Sequence, residues 1–278
     1  MSLLLASGPN LRHCSRGRGP GRQERAPIIR ARTAVEGTRQ SPNRFEIMVF
    51  QRVWDSSCPR VWDRWESGGK TWVIQDLAPE DDDRALEIMV EDFLPDEALC
   101  STSSLKDEPE GVKSISDVWR LYIARRTSLG CYTEVGGQKT LVALNVCYVT
   151  CKGQQDNLNI EGERCKNVFG ALQFIESKCD SFQYLGVDKY LTAVGLAVLR
   201  EYRGAKLGAR LLAARQPLCR CLGIKATKTV FTGPASQVLA ERCGFQTLAQ
   251  QTFAELADGG LKYPRDNRTI KLMVKKYE

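Results

Sequence analysis

Apolar positions follow two periods along this chain, and the periods take turns from about residue 70 onward. Residues 71–77 (TWVIQDL) read as a first strand, and Pro79-Glu80-Asp81 opens a helix whose Leu86, Met89, Val90 and Phe93 share one face. Ser114-x-x-Asp117 reads as the capped start of a second helix with Ile115, Val118, Trp119, Tyr122 and Ile123 inward. Residues 131–135, Gly136-Gly137 and residues 140–149 read as a β-hairpin, and residues 167–178 as a helix. Further strands are expected at 191–199, 226–231 and 269–274, with a short helix at 235–243 closed by Gly244. This pattern predicts an α/β (α+β) fold with a mixed, twisted central sheet and helices on both faces.

One junction stands out. Val194, Leu196 and Val198 alternate with Gly195, Ala197 and then Arg200, whereas Leu207, Leu211, Leu212 and Ala214 recur at helical spacing. Between them lies Tyr202-Arg203-Gly204-Ala205-Lys206. A helix N-terminus has unpaired N–H groups and a partial positive charge, so small residues there let an anion reach the backbone, and Arg203 and Lys206 add full charges. The pattern therefore points to phosphate binding, although an ordinary strand-to-helix junction can also carry a Gly and a basic residue. Pro217 should kink or shorten the helix that follows, because it lacks an N–H and crowds the preceding turn.

Charge changes little once it is located. The chain of 278 residues has a formal charge of +7, and residues 1–45, with nine Arg and two acidic groups, hold all of it. The remainder is formally neutral, which disfavours a nucleic-acid partner for the folded part. The Arg-, Gly- and Pro-rich extension, residues 1–47, is expected to be disordered. Its Gly and Pro residues spoil the amphipathic helix of a mitochondrial transit peptide, so the expected location is the cytoplasm. No apolar run reaches a membrane span, and Leu3-Leu4-Leu5 is too short for the core of a secretory signal. Residues 48–69, which hold RVWD twice, read as a surface arm fastened by its Trp residues, and 70–278 as the main domain.

Cysteine and histidine usage narrows the chemistry. Eleven cysteines at irregular spacing, with no C-x-x-C, make neither a zinc set nor a disulfide framework, so free thiols are expected. The single histidine, His13, lies in the extension. Triads built on histidine are thereby disfavoured and no metal is implied, so a general base must come from Glu, Asp, Tyr or Lys.

The junction resembles that of the GNAT acetyltransferases, whose motif R/Q-x-x-G-x-G/A wraps the pyrophosphate of acetyl-CoA. Arg203, Gly204, Ala205, Lys206, Leu207 and Gly208 fill its six places, with Lys206 where the family has its central Gly. That side chain either obstructs the co-substrate or swings outward to pair with a phosphate. Within the superfamily the chain is similar to the insect arylalkylamine N-acetyltransferases. PDEAL at 95–99 resembles their DEPL segment, and GLAVLREYRG and VFTGPASQVLAERCGF carry the rest of the likeness. The resemblance covers about residues 70–278.

The resemblance implies that acetyl-CoA lies against Leu196, Ala197 and Val198 and against Arg203, Gly204, Ala205, Lys206, Leu207, Gly208 and Ala209. It makes Glu97 the general base, with Glu108 in KDEPEG as the second candidate. A carboxylate is apt, because an arylalkylammonium must lose a proton before it can attack a thioester. Ser236 and Thr232 match two hydroxyl positions near the thiol leaving group, Ser236 also being suited to helix capping, and Ala240 stands where many GNATs have Tyr. A bulge eased by Gly195 would present backbone donors to the oxyanion. The implied activity is transfer of acetyl to a small amine by direct attack in a ternary complex, the protein acting as a monomer. Two alternatives stay open: an acyl-CoA binder without turnover, and an acetyltransferase for polyamines or protein N-termini, which the acidic run Glu80-Asp81-Asp82-Asp83 would suit.

Overall fold

The computed structural model describes residues 49–154 and 156–277. The Arg-rich extension at 1–47, read above as disordered, lies outside them. The chain runs β1 (Val61–Ser67), β2 (Lys70–Asp76), α1 (Asp82–Ile88), α2 (Ala98–Thr102), α3 (Pro109–Ala124), β3 (Leu129–Val135) and β4 (Gln138–Cys151). It continues through α4 (Glu163–Glu176), α5 (Ser181–Leu185), β5 (Lys189–Val198), α6 (Leu207–Cys221), β6 (Ala226–Phe231), α7 (Pro234–Arg242), β7 (Gln246–Thr252), α8 (Phe253–Asp258) and β8 (Thr269–Lys276).

The strands form one mixed sheet of eight in the order β1-β2-β3-β4-β5-β6-β8-β7, with helices on both faces. Every neighbouring pair is antiparallel except β5 and β6, the pair joined by α6. Their parallel ladder holds only two register pairs, Leu191 with Thr227 and Thr192 with Lys228. Beyond them β5 follows β4 to Val198 while β6 follows β8 to Phe231, so the sheet divides toward the C-terminal ends of the two strands. In α/β sheets such an opening is where ligands enter.

The core is the one the periodicity predicts. Ile74, Val142, Leu144, Val146 and Leu191 are fully buried in the sheet. They meet Ile115, Val118, Trp119, Tyr122 and Ile123 of α3 and Leu207, Leu211, Ala214 and Leu218 of α6. Among the described residues no helix is long and apolar enough to cross a membrane. All the described cysteines are free thiols, and burial pushes that of Cys147 up to about 11, which keeps it protonated and inert.

Three expectations change. The second helix begins at Pro109 rather than near Ser114, because Pro at the first helical position is pre-set for a helix start. Ser114 sits inside α3, where its hydroxyl accepts from the Glu161 amide at 2.9 Å instead of capping. Of the two effects expected of Pro217, shortening is ruled out, since α6 runs on through it to Cys221. Within the stretch read as an arm, Val61–Ser67 is the edge strand of the sheet. The Trp residues do anchor this stretch: Trp62 donates to Asp76 at 2.8 Å, Trp54 to the Arg126 carbonyl at 3.3 Å, and Trp65 stacks on Trp72.

Candidate active site

At the opening, β5 leaves its regular pairing. The β4–β5 register slips between Asn145 and Cys147, directly across from Gly195, whose φ of 150° suits glycine. A Cβ at this position would run into Met89. Two carbonyls of the slipped segment accept from side chains: Trp119 Nε1 reaches the Val194 oxygen at 3.0 Å, and Asn145 Nδ2 the Gly195 oxygen at 2.6 Å. The bulge expected at Gly195 is therefore present. Leu196 and Val198 are half-buried along it, Ala197 is buried, and Gly208 in the first turn of α6 comes close to Leu196.

After Val198 the chain makes a short helical turn, Arg200–Tyr202, and enters α6 through Lys206. Arg203, Gly204, Ala205 and Lys206 are all exposed. Lys206 takes φ 60° and ψ 19°, the left-handed conformation that glycine adopts most readily, and among the described residues no side chain caps the first turn of α6. Its side chain swings out to solvent. Arg203 donates to the Val198 carbonyl at 3.1 Å and pairs with Asp96 at 2.7 Å, and Arg200 pairs with the other Asp96 oxygen at 2.8 Å. These arginines, the Arg203 hydrogen bond first, hold the Asp96 carboxyl below its ordinary range.

Asp96 and Glu97 lie where α1 gives out. The helix loosens into a π turn at Met89–Phe93, and the chain then bends through Pro95 into the start of α2. Glu97 is the N-cap of α2, its Oε2 accepting from the Cys100 amide at 2.7 Å. Its Oε1 accepts from the hydroxyl of Thr232, the first residue after β6. Consecutive acidic residues thus span the opening, with Asp96 tied to the turn after β5 and Glu97 to the end of β6. Burial pushes the Cys100 thiol far up, aided by the Glu97 charge, so it stays protonated beside the carboxylate.

The remaining candidates separate. Ser236 lies in the first turn of α7, one helical turn after Thr232, with its Oγ donating to the Gly233 carbonyl at 2.8 Å. Glu108 is spent elsewhere, its carboxylate accepting from the backbone amides of Arg164 and Cys165 at 3.0 and 3.3 Å and so capping α4. Ala240 is fully buried between Leu212, Phe231 and Phe245. Of the acidic run, Asp81 accepts from the Tyr132 hydroxyl at 2.7 Å and Asp82 pairs with Arg126 at 2.6 Å. Sequence reasoning missed Asp96, although it adjoins Glu97. It also missed Tyr263, a buried phenol that meets Ser103 at 3.3 Å and whose pKa burial raises first and the Glu97 charge further.

No protein-family model matches the chain, and no curated protein does. Solved structures do. The protein named arylalkylamine N-acetyltransferase 7 of the yellow fever mosquito Aedes aegypti is 28% identical, superposes with a TM-score of 0.75, and the match covers 82% of this chain and 99% of that one. Arylalkylamine N-acetyltransferase 2 of the same mosquito is 19% identical, with a TM-score of 0.66 over 74% of this chain and 99% of that one. A polyamine N-acetyltransferase of Drosophila melanogaster is 16% identical, with a TM-score of 0.60 over the same shares.

Proposed function

We propose, for a chain that has the GNAT acetyltransferase fold, that it transfers acetyl from acetyl-CoA to the nitrogen of a small amine, and that the amine is an arylalkylamine. The observation that carries the reading is the bridge across the sheet opening, with Asp96 on Arg203 at one side and Glu97 on Thr232 at the other. It supports the reading because Asp96 meets the turn after β5 and Glu97 meets the end of β6, on the two sides of the opening.

The residues at the turn fit the co-substrate. Gly204 has open space where a Cβ would be, the first turn of α6 is left uncapped, and Arg203 and Lys206 are exposed beside it. Those amides and charges would hold a diphosphate. Acetyl-CoA supplies an activated acyl group as a thioester, and the chain supplies the rest. Glu97 attracts the ammonium and takes its proton. Thr232 and the Cys100 amide fix both oxygens of Glu97 so that the carboxylate stays aimed. Backbone at Leu196–Val198 stabilises the negative charge that develops on the acyl oxygen. Ser236 stands near the departing thiolate, direct attack needs no acyl-enzyme, and a monomer suffices.

A panel of arylalkylamines, polyamines and N-terminal peptides assayed with acetyl-CoA tests this. Arylalkylamines should be the best substrates. Preference for polyamines or peptides would shift the substrate class, and undetectable acetyl-CoA binding at millimolar concentration would sink the reading.

A further inference from the structure

Arg215 lies in the middle of α6 with 1% of its surface exposed. Burying a guanidinium costs several kcal/mol unless its donors are matched, and a carboxylate is the usual match. Here the partners are uncharged. Nε donates to Asn145 Oδ1 at 2.8 Å on β4, and one terminal nitrogen reaches Thr229 Oγ1 at 2.9 Å and Thr227 Oγ1 at 3.3 Å on β6. Asn145 is itself fully buried and passes the contact on, its Nδ2 donating to the Gly195 carbonyl at 2.6 Å. With an acceptor facing the arginine and a donor facing the carbonyl, only one orientation of this amide satisfies both neighbours.

We infer that Arg215 is a positioning residue, acting through Asn145 to fix the peptide between Gly195 and Leu196 and the width of the opening between β5 and β6. The inference rests on the acetyl-transfer reading for its catalytic consequence. The β5–β6 ladder stops at Thr192 and Lys228, so past that point backbone hydrogen bonds no longer set the separation of the strands. The guanidinium does so instead, with one end on β6 and the other, through Asn145, on β5. The N–H of Leu196 belongs to the same rigid peptide as the Gly195 carbonyl and points the opposite way. Holding the carbonyl therefore holds the donor direction along the stretch against which the thioester would lie.

Asn145→Asp separates this role from simple packing. The variant keeps an acceptor for Arg215, now charged, so the fold is retained, but it loses the donor to Gly195 and sets a carboxylate against that carbonyl. The first measurement is amide hydrogen exchange in the ligand-free protein. Exchange at residues 195–198 should speed up about tenfold or more, the equivalent of one lost hydrogen bond, while the melting temperature stays at or above that of the parent. The second is acetyl-CoA binding by calorimetry together with steady-state rates: Kd should rise about tenfold and kcat fall roughly 10- to 100-fold. Arg215→Lys, too short and too narrowly branched to span both strands, should shift the same readouts in the same direction, and it decides the matter should the first variant not fold. Parental exchange at 195–198 in a folded variant overturns the inference, as do parental Kd and kcat. A parent that binds no acetyl-CoA overturns the acetyl-transfer reading alone, since the exchange measurement still tests the relay.

Discussion

Thr232 donates its hydroxyl to the carboxylate of Glu97 across 135 residues of chain, joining the end of β6 to the start of α2. This contact places the acid that the resemblance makes the base. Glu97→Gln keeps an oxygen for the Cys100 amide, so α2 stays capped and the melting temperature should hold. Turnover at neutral pH should fall roughly 10²–10⁴-fold with acetyl-CoA affinity unchanged, and part of the loss should return at high pH, where more of the amine is already deprotonated. Glu108→Gln should leave turnover near parental, because that carboxylate caps α4. Parental activity of Glu97→Gln at every pH would remove it from the mechanism.

The two hydroxyls should divide by readout. Thr232→Val removes a hydrogen bond to the Glu97 carboxylate and should lower kcat and cost about 1.5–3 kcal/mol of stability, with part of the kinetic loss recovered at high pH. Ser236→Ala loses the bond to the Gly233 carbonyl and should cost about 1 kcal/mol of stability. On the role proposed for Ser236, at the leaving thiolate, its kinetic loss should not be recovered by alkali. Thermal unfolding and pH–rate profiles of both variants check this.

Lys206 pulls against itself. A non-glycine residue at φ 60° is strained by about 1 kcal/mol, so Lys206→Gly should raise the melting temperature by a few degrees. The same change removes a charge from the turn proposed to hold the diphosphate and should weaken acetyl-CoA binding about three- to tenfold, the more so at low salt. Tighter binding by the glycine variant would mean that the lysine obstructs the turn.

What the sequence made legible follows physical range. Strand β5 and helix α6 carry their own periods, so the junction at 203–208 could be placed before any contact was known. Arg215 left a trace as well: it falls between Leu211 and Leu218 on the apolar face of α6, where an arginine is out of place. Glu108 left none, since what occupies it is the backbone of residues 164 and 165, far along the chain. Helix α2 has five residues, too few to show a period, and β1 hides its pattern behind a register slip between Val61 and Asp63.

A last expectation concerns acid stability. Arg125 grips Asp156 with two hydrogen bonds of 3.1 and 2.7 Å, and Gln154 and Tyr122 donate to the same carboxylate. Burial alone would raise the Asp156 pKa, but the Arg125 hydrogen bonds and charge together outweigh it, and the carboxyl titrates below its ordinary value. A depressed carboxyl contributes stability that is complete above the unfolded value of about 3.9 and is lost as the pH falls through the lower, folded value. Asp156→Asn leaves the buried guanidinium without its counter-charge and should cost about 2–3 kcal/mol at neutral pH, a drop of several degrees in melting temperature. The gap between parent and variant should stay constant from pH 7 to pH 5 and narrow below about pH 4, as the parent carboxylate takes up its proton. A gap that persisted unchanged to the acid end would assign the stability at Asp156 to packing rather than to its charge.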